Sequence, residues 1–132
     1  ISGRPGSIDT AYILGDGIGL ETPRVTREGD QVRVCLRWHA RSRVAARLTV
    51  FVHLRDSGLE PVPQADVQPP YPTDLWQAGE VVDQCVLLAV PGLPAAGWHL
   101  AIGMYDAHDV QRLPVRTADG ARLADDAIVV SP

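Results

Sequence analysis

Residues 49–83 read TVFVHLRDSGLEPVPQADVQPPYPTDLWQAGEVVD, and they join two apolar, strand-like runs through a polar, proline-rich excursion. The first run alternates its side chains with a period of two, which is typical of a β-strand with one buried face. Proline is tolerated at the edge of a sheet but damages a central strand. The stretch therefore predicts a β-domain with a long excursion between two of its strands.

The remainder of the chain repeats this pattern. It has no helical period of useful length and many short alternating runs separated by Gly, Pro and Asp, which is typical of an all-β sandwich. The predicted strands are residues 10–14, 18–25, 31–40, 46–55, 80–90, 98–105, 111–115 and 124–130, with a weaker edge strand at 61–67.

Length and composition indicate one domain. Of the 132 residues, 45% are hydrophobic and 21% are charged, which is ordinary for a globular domain with a real core. We expect a single sandwich over residues 1–132, with 1–14 as a lead-in and first strand and 60–79 as a long proline-rich loop. The net charge of -4 argues against the strongly basic surface that nucleic-acid binding needs.

The sequence also bears on membrane insertion and targeting. No run approaches the roughly 18 apolar residues needed to span a bilayer, so we expect no direct membrane insertion by this segment. No basic stretch followed by a short apolar segment marks a signal peptide. The chain begins with Ile1 rather than Met, so we expect it to be cut from a longer polypeptide.

Period two also predicts the core. The inward faces of three strands would interdigitate between two sheets, as the inner faces of a β-sandwich do. The predicted buried residues are Val32, Val34, Leu36, Trp38, Leu48, Val50, Val52, Leu54, Trp98, Leu100, Ile102 and Met104.

Two cysteines, Cys35 and Cys85, are too few for a metal cluster but enough for one disulfide. Their strands could be neighbours. Parity argues against pairing, because Cys35 alternates with buried residues and points outward, whereas both faces around Cys85 are almost equally apolar. The sequence leaves the disulfide open.

A set of short motifs occurs in a distinctive order. The motifs are Gly15-Asp16, Leu36-x-Trp38, Phe51-Val-His-Leu54, Asp66, Tyr71-Pro-Thr73, Trp76, Gly79-Glu80, Asp83, Leu93-Pro94, Gly97, Gly103-Met-Tyr105-Asp106 and Arg112-Leu-Pro114. Together they resemble the extracytoplasmic C-terminal β-sandwich domains of bacterial polytopic membrane glycosyltransferases, the mannosyltransferase-like proteins that use lipid-linked sugars. The resemblance spans residues 15–130.

This resemblance implies an immunoglobulin-like or fibronectin-III-like antiparallel sandwich of about seven to nine strands. It also implies an extracytoplasmic location, at the cell surface or in the periplasm, within a membrane-anchored protein. The domain would be a non-catalytic accessory module whose partner is the membrane portion of its own parent chain. One departure is Trp98, which stands where such domains tend to have a tyrosine. Because indole lacks the hydroxyl of a tyrosine corner, we expect apolar packing there.

The candidate ligand site lies at the excursion. Phe51 and His53 have the parity opposite to that of the core residues, so they point towards whatever covers that face. If the excursion folds back over them, aromatic planes and a carboxylate would form one shallow site of the kind that binds sugar rings. Its members would be His53, Asp66, Tyr71 and Trp76. Alternatively, Tyr71 and Trp76 pin the loop onto Phe51, while His53 bonds a loop carbonyl or Asp66.

The pair of His53 and Asp66 also raises an enzyme hypothesis, with the histidine as base and the aspartate as its orienting group. The nucleophile is missing, because Ser57 lies in a turn without the context of a strained elbow and the cysteines lie in strands. The histidines and carboxylates lack the spacing of zinc or calcium ligands. We therefore predict no catalytic residues, no metal and no cofactor.

Two function hypotheses follow. One is a structural or interaction module of a membrane glycosyltransferase, and the other is a carbohydrate-binding module whose partner is a glycan. They differ in the exposure of the aromatic side chains. A binding module should expose Trp76 or Tyr71 beside free polar groups, whereas a structural module should bury them.

Overall fold

The fold is all β. A computed structural model describes residues 10–60 and 62–131, in which ten strands form two antiparallel sheets, and this confirms the predicted β-sandwich. The strands are β1 (Tyr12–Leu14), β2 (Ile18–Leu20), β3 (Arg24–Glu28), β4 (Gln31–Ala40), β5 (Leu48–Arg55), β6 (Gln64–Val67), β7 (Val81–Ala89), β8 (His99–Asp106), β9 (Val115–Thr117) and β10 (Ile128–Val130). Short 3₁₀ turns occupy Thr73–Leu75 and Ala124–Asp126.

The six-stranded sheet is organised around β4. On one side β4 pairs with β7, and on the other it pairs first with β3 and then with β2. β1 joins β2 to β9. The predicted strand at 18–25 is thus divided between two strands, with a break at residues 21–23 where Pro23 has no N–H to donate. This break takes the strand number above the predicted value of about seven to nine.

The four-stranded sheet has the order β10-β8-β5-β6. β5 and β8 pair over eight residues, from Leu48 opposite Asp106 to Arg55 opposite His99. β6 lies at the edge, which confirms the weak edge strand predicted after the prolines. The excursion at residues 68–80 therefore leads from the edge of this sheet to β7 in the other sheet.

The core lies between the two sheets and matches the period-two prediction. All twelve predicted core residues are buried, and none exposes more than 3% of its surface. They belong to one continuous apolar cluster that also contains Trp76. Burial of a Leu or Trp side chain stabilises a fold by roughly 2 to 3 kcal/mol, so this cluster is the main source of stability.

The predicted C-terminal strands have different bounds in the structure. β9 lies at Val115–Thr117 rather than at 111–115, and β10 begins at Ile128 rather than at residue 124. Residues Asp125 and Asp126 have φ angles of 59° and 48°, which no β-strand adopts. Of the predicted lead-in, residues 1–9 lie outside the described residues.

A disulfide joins Cys35 of β4 to Cys85 of β7. The two residues are directly opposite each other in the antiparallel register, on the outer face of the six-stranded sheet. The outward orientation predicted for Cys35 is therefore right, but the inference against pairing is wrong, because its partner points outward as well. Disulfides persist in oxidising compartments, so the bond is consistent with an extracytoplasmic environment.

Trp98 makes a corner hydrogen bond despite lacking a hydroxyl. Its indole N–H donates to the carbonyl oxygen of Pro94 at 2.9 Å, while the ring remains in the core. A tyrosine corner bonds backbone a few residues upstream in a similar way. The expectation of apolar packing alone is therefore wrong.

Candidate functional site

The proline-rich excursion is anchored in the core by Trp76. The indole has no exposed surface and belongs to the inter-sheet cluster, and its N–H donates to the Tyr71 carbonyl oxygen at 3.2 Å. The Tyr71 ring packs edge-on against the indole, with 6.4 Å between the ring centroids. A buried indole needs such a partner for its N–H. Both aromatic side chains thus hold the loop in place.

Polar contacts fix the excursion at its middle and at its C-terminal end. The buried Thr73 hydroxyl accepts from the Leu48 N–H at 2.8 Å and donates to the Ala46 carbonyl oxygen at 2.7 Å. At the C-terminal end, Glu80 accepts the Tyr71 hydroxyl at 2.6 Å. That bond and the backbone N–H of Gln77 lower the pKa of Glu80, because both donate to its carboxylate. The loop is therefore tied to β5 and to the start of β7.

Gln84 forms a further tie inside the sandwich. Its side-chain oxygen accepts the indole N–H of Trp38 at 3.0 Å, and its nitrogen donates to the carbonyl oxygen of Gln68 at 3.1 Å. A buried amide is stable only where its donors and acceptors are matched in this way. Gln84 thus connects the C-terminal part of β4 to the first residue of the excursion.

A shallow pocket lies on the outer face of the four-stranded sheet. Its floor is Phe51, which stands opposite Gly103 in the register and is only 1% exposed. A Cβ atom at Gly103 would lie 2.6 Å from the Phe51 ring, so the glycine makes room for the ring. The guanidinium carbon of Arg112 lies 4.3 Å from the Phe51 ring centroid, in the geometry of a cation–π interaction. The pocket is lined by Phe51, His53, Gln64, Asp66, Tyr105, Val110 and Arg112.

His53 and Asp66 meet at this pocket. Nε2 of His53 lies 3.5 Å from a carboxylate oxygen of Asp66. Burial lowers the pKa of His53 from its ordinary value of 6.5, the positive charges of Arg112 and Arg55 lower it further, and Asp66 opposes the shift. The imidazole is therefore neutral at pH 7, and Asp66 and Arg112 are the charged groups of the pocket.

The structure thus divides the four predicted site residues into two pairs. His53 and Asp66 lie together on the outer face of the sheet, whereas Tyr71 and Trp76 lie together at the inter-sheet core. The predicted aromatic platform is absent from the pocket, whose lining includes neither Tyr71 nor Trp76. The alternative hypothesis, that Tyr71 and Trp76 hold the loop by packing on Phe51, is wrong about Phe51. Trp76 packs in the inter-sheet cluster, whereas Phe51 belongs to a separate cluster with Ala101 and Ala127.

Four lining residues were missed from the sequence. Tyr105 shares the outward parity of Gly103 on β8, so period two could have indicated it. Gln64 precedes Asp66 by two residues on β6 and could have been found in the same way. Arg112 and Val110 come from the return loop after β8, and no local pattern places them over β5.

The low pKa of His53 predicts a pH effect on stability. At pH values near 6.5 the His53 side chain takes up a proton more readily in the unfolded chain than in the folded chain. The stability that the protein gains from holding this imidazole neutral is therefore fully present above pH 6.5 and is lost as the pH falls towards the lowered folded pKa. We expect the free energy of unfolding of the wild type to fall more steeply than that of His53→Gln between about pH 7.5 and pH 5. Urea unfolding at a series of pH values measures the difference. His108→Gln, at an exposed histidine, is the control, and equal slopes for wild type and His53→Gln would contradict the prediction.

No family model matches the chain, and no curated protein matches it in sequence. The part of the chain that the structure describes holds no helix with the length and apolar character needed to cross a bilayer. Within residues 10–60 and 62–131, no three His, Cys, Asp or Glu side chains lie close enough together to hold a metal ion.

Proposed function

We propose that this chain is a non-catalytic, extracytoplasmic accessory domain of a bacterial membrane glycosyltransferase-like protein, in which it acts as a structural or interaction module. The ordered motifs of the sequence support the association with a glycosyltransferase. The structural observation that carries the module role is the burial of Trp76, which leaves the excursion's best candidate for a sugar platform without exposed surface. A carbohydrate-binding module built on Trp76 and Tyr71 would need an exposed ring.

The disulfide supports the location in this proposal. Cys35 and Cys85 are both oxidised, which fits the periplasm or the cell surface better than a reducing cytoplasm. The partner in this proposal is the membrane portion of the parent chain, which would carry the transferase activity.

The surroundings of His53 support a role outside catalysis. Among the described residues, the pocket that contains both His53 and Asp66 is lined by no serine, threonine or cysteine, and the only such residue in the neighbouring cleft that His53 also borders is Ser57. Ser57 accepts the N–H of Leu59 within its own turn. No hydroxyl or thiol nucleophile therefore stands beside the histidine in this pocket for covalent catalysis.

The test uses the full-length protein that carries this domain, in its membrane. We expect His53→Gln to leave its glycosyl transfer rate unchanged, because this residue would not touch the reacting sugar. A catalytic base would instead lose about 10²- to 10⁴-fold in rate on substitution. Trp76→Ala, which removes the loop anchor, should lower the amount of folded protein.

Two outcomes would overturn the proposal. Loss of turnover in His53→Gln, with normal amounts of folded protein, would make this histidine catalytic. Reaction of Cys35 and Cys85 with N-ethylmaleimide in acid-trapped cells, before any reduction, would place the domain in a reducing compartment. Labelling only after reduction is the expected result.

A further inference from the structure

The outer-face pocket over Phe51 has the size of a small-ligand site. Its volume is about 170 Å³, below the several hundred cubic ångströms of pockets that hold drug-sized molecules. Three strands and the loop after β8 contribute to it, and its lining includes the polar side chains of Gln64, Asp66 and Arg112. The pocket thus offers room for a single ring.

The pocket is held rigid by the sheet and by a tight turn. His53 on β5 lies opposite Gln64 on β6, and Asp66 lies opposite Phe51, so the register fixes one wall. Arg112 is held between the Phe51 ring and the carbonyl oxygen of Asp125, to which it donates at 2.9 Å. Groups fixed before binding lose little entropy when a ligand arrives.

Val110 forms the apolar rim. It has a φ angle of 61°, which is rare for a β-branched residue, and 69% of its surface is exposed. Its backbone N–H donates to the carbonyl oxygen of Asp106 at 2.7 Å, and the Asp106 N–H donates to the Gln111 carbonyl oxygen at 2.9 Å. The turn therefore presents an apolar side chain beside the pocket at some conformational cost.

The chemistry of the lining selects the ligand class. Asp66 offers acceptors, Arg112 offers donors, and the amide of Gln64 offers both. The partly exposed Tyr105 adds an aromatic surface and a hydroxyl. The charges of Asp66 and Arg112 offset each other, which disfavours a strongly charged ligand. Closely spaced donors and acceptors beside an aromatic ring match a polyhydroxylated ring.

We propose that this pocket binds one neutral pyranose ring, either as a free sugar or as the end of a glycan chain, with Tyr105 as the apolar platform and Asp66, Gln64 and Arg112 as hydroxyl partners. The site goes beyond the accessory role proposed above. It is independent of Trp76 and of any catalytic activity, so each proposal can fail without the other.

The experiment is an NMR titration of the isolated chain with the methyl pyranosides of glucose, galactose and mannose. We expect at least one to shift the Gln64 side-chain amide, the Tyr105 ring and the Val110 methyl signals at concentrations up to about 50 mM, which detects a millimolar Kd. Asp66→Asn and Tyr105→Leu should each weaken binding by about tenfold. Tyr71→Phe, which changes an aromatic outside the pocket, should bind as the wild type does.

Further probes distinguish a free sugar from the end of a glycan chain and test whether binding is specific. The second ligand is a linear trisaccharide that ends in the sugar that binds. If it binds as well as the methyl pyranoside, the ligand of the pocket is the end of a glycan chain. If it binds more weakly, the ligand is a free sugar. The proposal is overturned if no pyranoside shifts these signals. It is also overturned if cyclohexanol shifts them equally, or if Asp66→Asn and Tyr105→Leu bind unchanged. If either variant loses the dispersion of its amide spectrum, and has therefore unfolded, Gln64→Ala is tested in its place, because the side chain of Gln64 is exposed.

Discussion

Trp76→Ala is expected to lower the free energy of unfolding by about 3 to 5 kcal/mol, a large part of the stability of a domain this size. The indole is fully buried between the sheets and bonds the Tyr71 carbonyl oxygen. Its removal leaves a cavity and takes away the excursion's contact with the core, and the transfer and cavity costs add. Equilibrium urea unfolding, followed by far-UV circular dichroism, measures the loss.

Tyr71→Phe is the matched control for this experiment. It keeps the ring beside Trp76 and removes only the hydroxyl that donates to Glu80 at the surface. We expect a much smaller loss than for Trp76→Ala. If Trp76→Ala stays within about 1 kcal/mol of the wild type, the excursion does not depend on its indole and the module role loses its main support.

Much of the fold could be predicted because both sheets follow a period of two. β4 has the predicted bounds, Gln31–Ala40, since its apolar residues alternate without a break. β5 and β8 are buried on both faces over much of their length, since Phe51 and Ala101 on the outer face are buried too, but their inward residues form the core as predicted. Alternation records which face is buried, so it is most reliable where one face meets the core and the other does not.

The disulfide could not be predicted because alternation says nothing about register. Parity placed Cys35 on the outer face of β4, but only the pairing of β4 with β7 shows that Cys85 stands opposite it on the same face. A register shifted by one residue would have turned the second cysteine to the other face. Disulfide formation depends on that long-range pairing.

The candidate site could be predicted only in half for a similar reason. His53 and Asp66 lie on neighbouring strands joined by a hairpin, and the edge strand was recognised. The excursion could have folded over either face of the sheet, and the side chains of Tyr71 and Trp76 suit a core as well as a sugar. Burial of the indole decided between them, because the inter-sheet space accommodates it while Arg112 already covers Phe51.

Reduction of the disulfide is expected to lower the free energy of unfolding by about 2 to 4 kcal/mol. The bond joins residues 50 positions apart, and the enclosed chain includes β5, β6 and the whole excursion. Crosslinking two distant residues restricts the unfolded chain more than the folded one, and the effect grows with the length of the loop. Urea unfolding of the oxidised and reduced wild type measures the loss.

The double variant Cys35→Ala with Cys85→Ala separates the crosslink from side-chain packing. Both cysteines lie on the outer face of the sheet, so their replacement should add little to the effect of reduction, and the variant should unfold close to the reduced wild type. If the oxidised and reduced wild type have equal stability, the pairing of β4 with β7 holds the strands without help from the bond.

Reduction of the Trp76→Ala variant shows whether the disulfide and the buried indole stabilise the fold independently. Additive losses are expected, because the disulfide is on the outer face of its sheet and Trp76 is in the core.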